Sequence, residues 1–92
     1  MSDFQKDFVD LVFSFKDRAL LEDFLMGVTT PKERQTLAQR VEIIKRINMG
    51  EPHHKIAGDL HVGVATVTRG SKELSQGRFK TFSPQETWPS AK

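Results

Sequence analysis

Residues 61–72 read HVGVATVTRGSK, a stretch almost free of large side chains. Thr66 and Thr68 lie two apart, Arg69 follows, and Gly70 stands where a helix is still expected to run. Small side chains let a backbone come close to a partner surface. Threonine offers a hydroxyl to a base or a phosphate and a methyl to the thymine methyl. A glycine inside a helix costs roughly 0.5–1 kcal/mol against alanine, so a close neighbour should account for Gly70. Two neighbours fit. One is a planar ligand whose face or carboxylate meets the Arg69 guanidinium. The other is simply a crossing helix, and the pair Arg69 and Gly70 does not decide between them.

Other chemistry is sparse. His53, His54 and His61 lie close together, but their spacing suits a polar turn better than a zinc cage, which needs three or four converging ligands. No metal is expected. There are no cysteines, which excludes disulfides, thiol catalysis and thiolate metal sites. The chain has no phosphate-binding loop and no histidine with a paired carboxylate, so an enzyme is not expected. Charge is asymmetric: residues 1–28 carry three basic and six acidic side chains, and residues 29–92 carry eleven basic and six acidic. A basic C-terminal part suits an anionic partner such as nucleic acid. Apolar residues make up 37% and charged residues 28% of the chain, and no apolar run is long enough to span a bilayer. Together with the lack of a signal-like start, this points to the cytoplasm and to no membrane partner.

The elements that must position these residues are helical. Phe4, Phe8, Leu11, Val12 and Phe15 recur at helical spacing and predict an amphipathic helix over residues 3–17. Leu20, Leu21, Phe24 and Leu25 form the stripe of a shorter helix that Gly27 is expected to end. Both need a further apolar surface to cover them. TTPKER, residues 29–34, combines Thr30 as N-cap, Pro31 at the first helical position and Glu33 three residues on, a capping box. The long central helix that follows carries Leu37, Val41, Ile44 and Ile47 and ends at Gly50, with Pro52 blocking continuation. Two short helices over 53–60 and 64–75 then join through His61, Val62 and Gly63, the spacing of a helix-turn-helix. Ala57 leaves room for a crossing helix, and His61 falls where the turn takes φ > 0. The expected fold is all-α, with short helices around a long central helix. One dimerisation and DNA-binding domain spans residues 1–75, followed by a polar tail over 76–92. That tail is read as mostly irregular, with a short turn after Ser83 and Pro84 and with Phe79, Phe82 and Trp88 able to dock onto the domain.

TPKERQTLAQRVEIIKRINMGE, residues 30–51, followed by GVATVTRGS, residues 63–71, strongly resembles the tryptophan repressor family. The resemblance runs from Phe8 to Leu74. It implies an interlaced all-helical homodimer that binds operator double-stranded DNA of tryptophan metabolism genes only when L-tryptophan, the corepressor, is bound. Carried over by motif, Arg40 and Arg69 sandwich the indole, Thr30 and Arg69 hold the carboxylate, and Gly70 forms a flat wall beside the ring. Backbone carbonyls at Gly27 and Thr29 of the partner take the ammonium, and Thr66 lies at the boundary of pocket and DNA. DNA contacts fall on Gly63, Val64, Ala65, Thr66 and Thr68, with His54 and Lys55 nearby. This family is itself a standard example of helix-turn-helix docking and of water-mediated base readout.

The chain departs from the family pattern in four places. The loop before the helix-turn-helix is about one residue shorter and contains Pro52. Glu73 replaces a ligand-contacting serine, and its carboxylate either pairs with the ligand ammonium or points to solvent. Ala57 replaces an operator-contacting lysine, and the long last helix gives way to the polar tail. Two rivals remain to a tryptophan-dependent repressor: a constitutive or other-ligand helix-turn-helix regulator, and a helical adaptor that binds no DNA.

Overall fold

The computed structural model describes residues 1–80. Within them the chain is five helices: α1 (Asp3–Ser14), α2 (Arg18–Val28), α3 (Pro31–Asn48), α4 (His53–Leu60) and α5 (Val64–Ser75). The expected roles of Phe82, Ser83, Pro84 and Trp88 lie outside the described residues. Two compact units divide the chain, residues 1–34 and the part from residue 35 onward.

In the first unit, α1 opens with a capping box. The Gln5 N–H donates to Ser2 Oγ at 3.3 Å while the Ser2 N–H donates to Gln5 Oε1 at 2.7 Å. α1 stops at Ser14, three residues short of the expected end at residue 17. Asp17 is the reason: its carboxylate accepts the Ala19 N–H at 2.9 Å and caps α2, which takes it out of α1. Gly27 does not end α2 as expected. The helix continues through it to Val28, and Thr29 closes it with its hydroxyl donating to the Leu25 carbonyl at 2.5 Å. Phe24 gathers Phe8 and Phe15, with ring centroids 6.1 and 5.3 Å away and tilted planes, the geometry aromatic quadrupoles favour. Neither α1 nor α2 buries a single residue.

α3 starts as its sequence dictates. The Glu33 N–H donates to Thr30 Oγ1 at 3.1 Å and the Thr30 N–H to Glu33 Oε1 at 2.8 Å. It ends in a Schellman motif on Gly50 (φ +83), whose N–H donates to the Ile47 carbonyl while the Glu51 N–H donates to that of Arg46. The second unit buries Ile43, Ile56, Ala57 and Val67 as one cluster, with Ile47, Leu60 and Val62 packed against it. α3, α4 and α5 each contribute to this core. Val41 and Leu37, expected on the apolar stripe of α3, are instead exposed, whereas the neighbouring pair Ile43 and Ile44 is buried, both side chains lying against Gly70 of α5.

The turn between α4 and α5 is left-handed at His61 (φ 56, ψ 45), as its position in the motif predicts. The His61 N–H reaches the Gly58 carbonyl and the Val62 N–H that of Ala57, so a histidine occupies the place glycine usually takes in this motif. Gln39 Nε2 ties α3 to the end of α4 through the Leu60 carbonyl at 3.3 Å.

Candidate ligand cavity and nucleic-acid face

α3 and α5 cross closely. A Cβ added at Gly70 would lie 3.1 Å from Ile43 Cγ2 and 3.2 Å from Ile44 Cδ1. Helix crossing therefore accounts for the glycine, which settles one of the two neighbours that the sequence left open. Beside that crossing lies a cavity of about 410 Å³. Its apolar lining is Ile43, Ile44, Gly70 and Phe79, and its polar lining is Arg40, Thr66, Arg69 and Glu73. The two arginines that the sequence singled out thus share one slot, contributed by different helices.

Their electrostatic state is unusual within this molecule. Arg18 pairs with Glu22, Arg46 with Glu42 and Asp59, and Arg78 with Glu73. Arg34 donates to the Thr29 carbonyl at 2.9 Å and to the Met26 carbonyl at 3.3 Å. Among the described residues, only Arg40 and Arg69 are arginines with no ion-pair or hydrogen-bond partner. A cavity with an apolar lining, two unneutralised guanidinium groups and one carboxylate suits a flat ligand that carries both an anionic and a cationic group.

The remaining candidate ligand residues belong to the first unit. Thr30 Oγ1 is engaged as the acceptor of the α3 cap, which leaves its hydroxyl proton free to donate. The Thr29 carbonyl already accepts from Arg34, and Gly27 sits inside α2. Ile43, Ile44 and Phe79 line the cavity although the sequence alone assigns none of them a ligand role. The buried pair Ile43 and Ile44 is hidden there because only one of the two falls on the expected stripe. Phe79 gives a weaker signal, one of three aromatic residues in the tail that the sequence leaves able to dock onto the domain.

The residues expected to contact DNA are open to solvent, Thr66 of the cavity lining among them. His54, Lys55, Gly63, Val64, Ala65, Thr66 and Thr68 are all exposed, and the small residues among them form the N-terminal turn of α5. Gly63 caps that helix without a side chain, leaving its first N–H groups available to an anion. Lys55 is not idle, however. Its Nζ lies 3.0 Å from Asp59 Oδ2, which also accepts from Arg46 Nη1 at 2.8 Å. Those two hydrogen bonds, Lys55 first and Arg46 second, hold the Asp59 carboxyl below its usual range. The same Asp59 contact raises Lys55, and bonds to Glu42 and then Asp59 raise Arg46. The network braces the end of α3 against α4. Among the described residues no group of three or more His, Asp or Glu side chains is placed to hold a metal ion, and no helix is long and apolar enough to cross a membrane.

Comparison with known proteins adds a family. Residues 5–83 match the family described as Trp repressor protein. The Trp operon repressor homolog of Vibrio campbellii is 42% identical over 67 residues, covering 72% of this chain and 67% of that protein. The homolog of Vibrio parahaemolyticus is also 42% identical over 67 residues, covering 72% of this chain and 65% of its own length. That of Photobacterium profundum is 45% identical over 60 residues, covering 64% of this chain and 54% of its own. The chain thus spans about two thirds of the length of the first two relatives.

Proposed function

The chain belongs to the Trp repressor protein family, a family of transcription regulators, and from that premise we propose that it is a trp operon repressor switched on by L-tryptophan. The observation that carries the reading is the pair of unneutralised guanidinium groups, Arg40 on α3 and Arg69 on α5, lining one cavity with Ile43 and Ile44. In this reading they clasp the indole between them and Arg69 takes the carboxylate. Gly70 and Thr66 complete the slot. Glu73 faces the ammonium, alongside backbone carbonyls at Gly27 and Thr29 of a second subunit.

The homodimer is part of the proposal. Phe4, Phe13, Leu20 and Met26 are 77%, 90%, 57% and 60% exposed in the single chain. Apolar area of that extent marks an association surface. An interlaced dimer, with residues 1–75 acting as one dimerisation and DNA-binding domain, would cover it with the same faces of a second copy.

Occupying the cavity braces α5 against α3. It thereby fixes the distance between the two recognition helices of the dimer at the separation of about 34–36 Å that successive major grooves require, a spacing for which the tryptophan repressor itself is a standard example. The ligand shifts the equilibrium only by its greater affinity for the competent spacing. Val64, Ala65 and Thr68 then meet base edges in operator DNA, while His54 and Lys55 approach phosphates. Few long side chains stand at the tip of α5, so sequence choice leans on bridging waters and on DNA shape.

The test begins with duplex DNA selected from a randomised pool at saturating L-tryptophan. Adding L-tryptophan at fixed salt tightens binding of that DNA if the proposal holds. Equal affinity with and without the amino acid would assign the chain to the constitutive regulators instead.

A further inference from the structure

The chain does not leave the cavity behind when α5 ends. Gly77 (φ +91) turns it back: the Gly77 N–H donates to the Leu74 carbonyl at 3.0 Å and the Arg78 N–H to the Glu73 carbonyl at 3.1 Å. The turn brings Arg78 Nε to 3.5 Å from Glu73 Oε1, and it sets Phe79 on the cavity wall with Arg40, Arg69 and the isoleucine pair. Phe79 itself adopts φ +61. A bulky aromatic residue rarely takes that left-handed conformation by local preference, so the surroundings impose it.

We propose that Phe79 is a ligand-contacting residue that determines specificity: its ring closes the cavity against the flat apolar half of the bound amino acid. The Arg78–Glu73 ion pair is the positioning device that holds the turn. This inference rests on the reading of the cavity as an amino-acid site and extends it to a residue beyond α5. The chemistry divides cleanly. The guanidinium groups serve the ligand's carboxylate and the faces of its ring, and the isoleucines form an aliphatic wall. The remaining side is aromatic, and an aromatic wall gains most from a second ring placed edge-on or offset against it. A ligand with a small aliphatic side chain would leave that space void and lose the packing. The ligand class is therefore an aromatic amino acid that fills the cavity up to the Phe79 ring.

Titration calorimetry on the full chain tests this with Phe79→Ala, Phe79→Leu and Arg78→Ala, using L-tryptophan and 5-methyl-L-tryptophan, with helicity checked by circular dichroism. Phe79→Ala is expected to weaken L-tryptophan by about fivefold to tenfold, as loss of an aromatic contact does. It weakens 5-methyl-L-tryptophan less, because truncation opens room for the added methyl. Phe79→Leu falls between, and Arg78→Ala costs about twofold, as an exposed ion pair does. If the unaltered chain binds L-tryptophan and Phe79→Ala binds it equally well, the inference about Phe79 is wrong and the cavity reading stands. Parallel weakening of both ligands would overturn the inference in the same way. If the unaltered chain gives no heat with L-tryptophan, the cavity reading fails and this inference falls with it.

Discussion

Residues 1–34 and residues 35–80 solve the problem of a small chain in opposite ways. The first unit holds most of the phenylalanines, yet α1 and α2 bury none of their side chains. The second unit has fewer large apolar residues, yet it closes a core on Ile43, Ile56, Ala57 and Val67, ties α3 to α4 with charge pairs and keeps a cavity beside it. Apolar content alone therefore does not make a core. What matters is whether a partner face lies within the same unit. The second unit supplies its own, and under the proposed dimer the first is covered by a second copy.

The sharpest way to break that contrast is to truncate Ile56, which has no solvent exposure. Ile56→Ala should cost about 2–5 kcal/mol through lost burial and the cavity left behind, seen as a lower midpoint in chemical denaturation. Phe13→Ser, at a side chain 90% exposed, should leave the α3–α5 helices folded and shift sedimentation equilibrium toward monomer. A Phe13→Ser chain that still associates would remove the first unit from the interface.

Next in size is the cavity. Arg69→Ala should weaken L-tryptophan by at least about tenfold, since a charge-assisted contact to the carboxylate is lost. Thermal stability should barely move, because Arg69 has no ion-pair partner among the described residues to lose. His61→Gly acts on the backbone. Relief of the left-handed conformation should raise stability by up to about 1 kcal/mol, partly offset by the freer unfolded chain. The smallest effect belongs to Asp59→Asn. The Asp59 carboxyl is held below its usual 3.8 by Lys55 and Arg46. Its contribution is thus present above the unfolded value and fades as pH falls through the lower folded one. The gap in melting temperature between Asp59→Asn and the unaltered chain should be small at pH 7 and close as the pH falls below the usual carboxylate range.

Where local chemistry decides, the sequence is readable. Thr30, Pro31 and Glu33 define the start of α3, Gly50 its end, and His61 the left-handed turn, because caps and turns depend on a few adjacent residues. Boundaries set by competition are not readable. α1 stops at Ser14 since Asp17 caps the next helix, and α2 runs through Gly27 since Thr29 closes it just beyond. The width of the buried face is also hidden: a single stripe on α3 predicts Ile44 but not its buried neighbour Ile43. Of the site, Arg69 and Gly70 stand out as a local oddity. Arg40 enters only through the family resemblance, because nothing in the spacing of 29 residues links it to Arg69. Phe79 is legible only as an aromatic able to dock onto the domain; its place on the cavity wall depends on the turn at Gly77.

The central claim is that Arg40 and Arg69 hold one zwitterionic aromatic amino acid by its carboxylate and its ring. Calorimetry of the full chain with L-tryptophan and with tryptamine, identical but for the carboxylate, tests it most directly. L-tryptophan should bind measurably and tryptamine at least about tenfold more weakly, equivalent to about 1.4 kcal/mol. Equal affinity for the two compounds would contradict it.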